Sequence, residues 1–297
     1  MNSIDVSRAD EVLPDTLGEF PRGRVFVWVS PRAPGLETFV YLPRSLSSPG
    51  RALVAVHGIT RNATEHALLF SALAEEAGVA VIAPLFATNR FRGYQTLRRR
   101  RKGPAAEVAF DFMLDDLRTA TGLDLNRLSL FGFSGGGQFA HRYAMVRPDK
   151  VDRLVVGAAG WYTFPDVDQD YPRGVAALPE HLSKLDLDAF LKIPVLVVVG
   201  DQDQQRDDAL NQDPRIDARQ GRTRVERGQN WVRALKAAAL ERGLPTRAGI
   251  RLLHGGTHSF ADSMNRLGLG QIVFNFLFGD SEMRKSAAGA ASDEHAP

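Results

Sequence analysis

The chain has no cysteine among its 297 residues, which excludes disulfides, thiolate metal sites and a cysteine nucleophile together. That absence suits a reducing compartment, and Met1 to Glu19 carries acidic residues and no apolar core of signal-peptide length, so a cytoplasmic protein is expected. Long hydrophobic runs are missing too, and no membrane span is expected. Charge of one sign is not in excess: 37 Lys and Arg against 35 Asp and Glu leave a net charge of +2, which calls for no nucleic acid partner. There are only 7 histidines, and none stands in a spacing such as His-Glu-x-x-His, so neither a metal nor any other cofactor is expected. What is present, 44% hydrophobic and 24% charged residues, is the make-up of a globular chain with a substantial core.

Taken in order, residues 1–22 are polar with scattered prolines and read as a loosely attached lead-in. The β-rich runs Arg24 to Val29 and Glu37 to Leu42, separated by Pro31-Arg32-Ala33-Pro34-Gly35, predict an antiparallel pair. Ala52 to Val56, Val79 to Pro84 and Pro194 to Gly200 are continuously apolar, as strands covered on both faces are, and Val151 to Gly157 reads as another buried strand. Helical patterns from about Thr64 to Ala77, Pro104 to Thr121 and Arg222 to Arg242 alternate with them, and a last strand, Ala248 to Leu253, precedes a helix through Ile272, Phe274 and Phe276. Residues 23–280 are read as a single α/β domain: a mostly parallel central sheet with an antiparallel N-terminal start and helices on both faces. A small lid, if there is one, falls at 161–192. The Ala- and Ser-rich tail, 281–297, reads as disordered.

The stretch that carries chemistry is Leu128 to Ala140. A strand-like run ends in Gly132-Phe133-Ser134-Gly135-Gly136, and a helical pattern starts at once. Such a Gly-x-Ser-x-Gly turn forces its serine into a strained backbone, and small neighbours let strand and helix pack closely. A serine hydroxyl is a poor nucleophile at neutral pH; a histidine must take its proton, and a carboxylate must orient that histidine. Strand ends supply both: Asp203 follows the Val195 to Val199 strand and His258 follows the last one. Asp201, Asp207 and Asp208 are alternatives for the acid and His254 for the base; turn position favours Asp203 and His258. His57 reads as a loop-bonding structural histidine, and His66, His141 and His181 as ordinary helix or surface residues.

With the order Ser134, Asp203, His258, and with Gly200-Asp201-Gln202-Asp203 and the Gly-rich turn before His258, the chain from about residue 24 to 279 resembles the α/β-hydrolases of the esterase and lipase type. The resemblance implies a serine ester hydrolase in which Ser134, His258 and Asp203 form a triad. It implies an oxyanion hole from the backbone N–H of Gly135 and of a residue after His57-Gly58, best matched by Ile59. The expected partner is a small-molecule or polymeric ester. Phe133, Trp161, Tyr162 and Phe164 are candidates to line the substrate pocket, though the last three fit core packing equally well. The run Arg98-Arg99-Arg100-Arg101-Lys102 reads as a solvated loop, or else as a basic rim that attracts anionic substrates.

Overall fold

Strands form where the sequence is apolar without interruption, because only a position covered on both faces repays such a run. The computed structural model describes residues 7–8, 20–48, 50–98, 105–182 and 185–279. The basic residues 99–102 and the tail 281–297 lie outside them, as does most of the N-terminal lead-in. The chain divides into two compact units, residues 1–128 and 129–297.

In the first unit the strands are β1 (Ser7–Arg8), β2 (Val25–Val29), β3 (Glu37–Tyr41), β4 (Ala52–Val56) and β5 (Ala80–Pro84), adjacent in the order β1-β2-β3-β5-β4. The β2–β3 and β3–β5 pairs are antiparallel and the β1–β2 and β4–β5 pairs parallel. The expected antiparallel start is thus β2–β3. The short strand β1, by contrast, falls inside what reads as a loosely attached lead-in. All five residues of β4 and of β5 are buried, and each buried Val or Leu is worth roughly 1.5–3 kcal/mol over leaving it exposed. Helix α1 (Ala63–Ala77) packs on β3, β4 and β5, and α2 (Ala106–Thr121) follows. Glycines in the left-handed region, Gly78 and Gly122, end the two helices.

In the second unit β6 (Leu128–Phe133) leads into α3 (Gly135–Val146), followed by β7 (Val151–Gly157), α4 (Leu187–Leu191), β8 (Val195–Gly200), α5 (Pro214–Gln220), α6 (Arg224–Glu241), β9 (Ala248–Leu253), α7 (Phe260–Arg266) and α8 (Leu269–Phe278). The strand order is β6-β7-β8-β9, with β7–β8 and β8–β9 parallel. Helix α6 packs on β8 and β9, and α3 and α8 pack on β7. The apolar run predicted as one C-terminal helix begins only at Leu269: α7 stops first, and Gly268, at φ 71°, turns the chain between the two.

The segment after β7 is bound down by hydrogen bonds to α5 and α6. Gln220 accepts from the Tyr162 N–H at 2.9 Å and donates to the Tyr162 carbonyl at 2.8 Å, and the Trp231 indole donates to the Thr163 carbonyl at 2.8 Å. Among the described residues no helix is long and apolar enough to cross a membrane.

Candidate active site

Ser134 stands between β6 and α3 with φ 54° and ψ −115°, a backbone region that a side-chain-bearing residue enters only under constraint. The constraint is visible. The Ser134 N–H donates to the Gly157 carbonyl at 2.7 Å. A Cβ on Gly132 would lie 2.2 Å from the Gly136 oxygen, so strand and helix cross at a distance that no other residue permits there. Gly135 is the first residue of α3, and its N–H belongs to the unpaired donors that make a helix N-terminus favourable to negative charge.

The other two members come from the ends of β8 and β9. Asp203 closes a tight turn in which its N–H donates to the Gly200 carbonyl at 3.0 Å, while the Gln202 N–H donates to the Gly256 carbonyl at 2.9 Å and the Asp201 N–H to the Leu253 carbonyl at 3.1 Å. The two turns touch backbone to backbone: a Cβ on Gly200 would lie 2.1 Å from the Gly256 oxygen. Across them His258 Nδ1 lies 2.6 Å from Asp203 Oδ2, and His258 Nε2 lies 3.0 Å from Ser134 Oγ. A carboxylate oxygen can only accept, so Nδ1 carries the proton and Nε2 is left to accept from the serine hydroxyl. The Asp203 side chain is 1% exposed and that of His258 20%, so the acid is sealed from water while the histidine is partly open to it.

The alternatives are placed elsewhere. His254 pairs with Asp201, at 3.0 Å, and its side chain is fully exposed. Desolvation pushes the Asp201 carboxyl up, but the His254 contact and the Gly255 N–H outweigh it and hold the carboxyl below its ordinary range. Asp207 accepts from Arg224; burial pushes its carboxyl up, but the Arg224 hydrogen bond and charge, with His258 nearby, outweigh that and hold it low. Of the three histidines expected to be ordinary helix or surface residues, His66 and His141 do lie in helices, α1 and α3, but are buried, and burial keeps both well below the usual imidazole range. His141 Nδ1 lies 2.8 Å from the Gly137 carbonyl and Nε2 accepts from the Thr163 N–H at 3.0 Å, so it ties α3 to the segment after β7.

The aromatic candidates separate as well. Phe133 stacks on the His258 ring with centroids 5.5 Å apart. Tyr162 has no exposed surface and stacks on Trp231 at 4.6 Å, which makes it part of the core and not of a solvent-reached pocket. Trp161 is nearly buried beneath the Arg142 guanidinium, 4.3 Å from the ring centroid, while Phe164 is half-buried.

In the first unit, Ile59 follows His57-Gly58 at the end of β4 and is 43% exposed. His57 holds that loop: Nδ1 lies 2.7 Å from the Gly58 carbonyl and Nε2 accepts from the Phe86 N–H at 3.0 Å. Arg61, at φ 64°, donates to the Phe86 carbonyl at 2.5 Å and lies over the Tyr94 ring. Sequence reasoning missed Arg224, whose guanidinium, 1% exposed, donates to Asp203 Oδ1 at 3.1 Å. Nothing but its place at the start of α6 could have pointed to it. Among the described residues no group of three or more His, Asp or Glu could hold a metal ion.

A serine on a strained strand-to-helix turn, joined through a histidine to a buried aspartate from later strand ends, defines the geometry of a serine hydrolase. No protein-family model and no curated protein matches the chain. Solved structures do. Poly(aspartic acid) hydrolase-1 from Sphingomonas sp. KT-1 superposes with a TM-score of 0.71 at 25% identity, over 86% of this chain and 99% of its own. A poly(3-hydroxybutyrate) depolymerase from Bordetella parapertussis gives the same TM-score and identity over 92% and 95%. An S-formylglutathione hydrolase from Agrobacterium tumefaciens shares the fold alone, at a TM-score of 0.53 and 16% identity over 90% and 94%. The chain belongs to the α/β-hydrolase superfamily and is similar to its serine hydrolases.

Proposed function

We propose that the protein is a carboxylic ester hydrolase working through an acyl-enzyme, and the observation that carries this reading is the hydrogen-bond chain Ser134–His258–Asp203. Ser134 Oγ bonds to the ester carbonyl carbon as its proton passes to His258 Nε2. The tetrahedral intermediate collapses with cleavage of the carbon–oxygen bond, and His258 hands the proton to the departing alcohol. Water, deprotonated by the same nitrogen, then attacks the acyl-enzyme and releases the acid and Ser134. Asp203 holds His258 in the required tautomer throughout. The Gly135 N–H, at the positive end of α3, is the proposed oxyanion donor, and the Ile59 N–H, assigned by resemblance, is the second; one such donor is worth about 10² to 10³ in rate. Phe133 packs beside His258 and Trp161 and Phe164 remain candidates for the substrate pocket.

The test is hydrolysis of p-nitrophenyl esters of increasing acyl length by the wild type and Ser134→Ala. The variant is expected to lose about 10⁴-fold or more in kcat while keeping its fold. Full turnover by Ser134→Ala would refute the assignment.

A second reading is a hydrolase of polymers, polyester or polyamide, with the same three residues. What favours it is that two structures similar over nearly the whole chain, at a TM-score of 0.71, act on poly(aspartic acid) and poly(3-hydroxybutyrate) by their names. Release of soluble acid from either polymer, compared with turnover of the p-nitrophenyl esters, separates the two readings.

A further inference from the structure

We propose that Arg224 is a positioning residue of this site, fixing the direction of the Asp203 carboxylate and setting the charge against which His258 takes up a proton. The inference rests on the reading above that Asp203 is the acid of the reaction.

Arg224 is the first residue of α6, and its side chain is 1% exposed. One amino group donates to Asp203 Oδ1 at 3.1 Å and to the Gln205 carbonyl at 3.4 Å; the other donates to Asp207 Oδ1 at 2.9 Å. The two Asp203 oxygens are therefore divided: Oδ1 to Arg224, Oδ2 to His258. A carboxylate held by the histidine alone could turn about its terminal bond, which has a broad and shallow preference. The planar guanidinium removes that freedom and keeps Oδ2 aimed at Nδ1.

The charges close by are few. Facing Asp203 are His258, Arg224 and the Tyr162 ring. Facing Arg224 are Asp203, Asp207 and Arg227, and Arg227 shares the Asp217 carboxylate, at 2.7 Å, with Arg206. Facing His258 are Ser134, Asp203 and Asp207. Within the group that touches Asp203 or Arg224 through an ion pair, two carboxylates and the one guanidinium that bridges them leave a single negative charge for the imidazolium that forms during turnover. Without Arg224 there would be two, and the histidine would hold its proton when it should be free to accept one. Without Asp207 there would be none.

The test is the pH dependence of kcat/KM for p-nitrophenyl acetate, from about pH 5 to 9, in the wild type, Arg224→Gln, Arg224→Lys and Asp207→Asn, with Ser134→Ala as the blank. Circular dichroism checks each variant for folding. In Arg224→Gln the acidic limb is expected to move to higher pH by on the order of one unit. Asp207→Asn should move it the opposite way by less, since Asp207 is partly in water and screened. Arg224→Lys should keep the wild-type limb and lose several-fold in kcat, because an ammonium keeps the charge but not the fork.

Coincident limbs in the wild type, Arg224→Gln and Asp207→Asn would overturn the proposal, since a merely structural arginine moves no limb. If Arg224→Gln does not fold, Asp207→Asn decides, a downward shift supporting the proposal and an unmoved limb overturning it. Full turnover by Ser134→Ala would instead sink the triad reading, and the role of Arg224 with it.

Discussion

Histidine and aspartate occur twice in the turns after β8 and β9, and a few ångströms separate a relay from a surface ion pair. Asp201 and His254 meet at 3.0 Å in open solvent; Asp203 and His258 meet at 2.6 Å with the carboxylate covered, and that histidine alone of the two reaches Ser134. His258→Ala is accordingly expected to cost about 10⁴-fold or more in kcat, whereas His254→Ala should stay within about twofold, as exposed pairs contribute little. Steady-state kinetics on one p-nitrophenyl ester compares them, and comparable losses in both would refute the distinction. Turn position was enough to prefer Asp203 and His258 from sequence, because a Gly-x-x-Asp turn and a Gly-rich turn each leave one natural place for the side chain. Arg224 was not legible: its partner lies 21 residues earlier, and an arginine opening a helix looks like any solvated charge. Nor was the burial of Tyr162, since an aromatic beyond a strand end suits a pocket and a core alike.

Among the elements, the buried strands were the most legible, because β4, β5, β7 and β8 carry apolar runs that no exposed segment would. Helix ends were read less well. The helix expected from about Arg222 to Arg242 runs Arg224–Glu241, and its start is set by a capping box: the Thr223 hydroxyl accepts from the Glu226 N–H at 3.2 Å, and Glu226 accepts from the Thr223 N–H at 3.0 Å. Helix α5 was overlooked inside a polar segment, although Asp213-Pro214 supplies a capping side chain and a proline at the first helical position. The box also seats Arg224. Thr223→Ala is expected to lower stability by about 1 kcal/mol and Thr223→Ser to restore most of it, read as the midpoint of urea denaturation. An unchanged midpoint in Thr223→Ala would mean that packing alone holds the start of α6.

For the molecule as a whole, the buried histidines set a limit on the acid side. Burial lowers His57 to about 4, and His66 and His141 lie well below the ordinary value of 6.5. Between about pH 6.5 and 4 the unfolded chain therefore binds protons that the folded chain refuses, so the stability these groups contribute is complete above that window and is lost as pH falls through it. For His57 alone the loss is roughly 3 kcal/mol. Urea midpoints at about pH 7.5 and 4.5 are expected to differ accordingly, with a shallower fall in His57→Gln; equal midpoints at the two pH values would argue against neutral buried histidines. Gly200 and Gly256 impose a different kind of limit. Because the backbone of each occupies the space that a side chain on the other would need, each position admits glycine alone, whatever stands at the other. The turn bearing Asp203 and the turn leading to His258 are thereby held closer together than side-chain-bearing residues would allow.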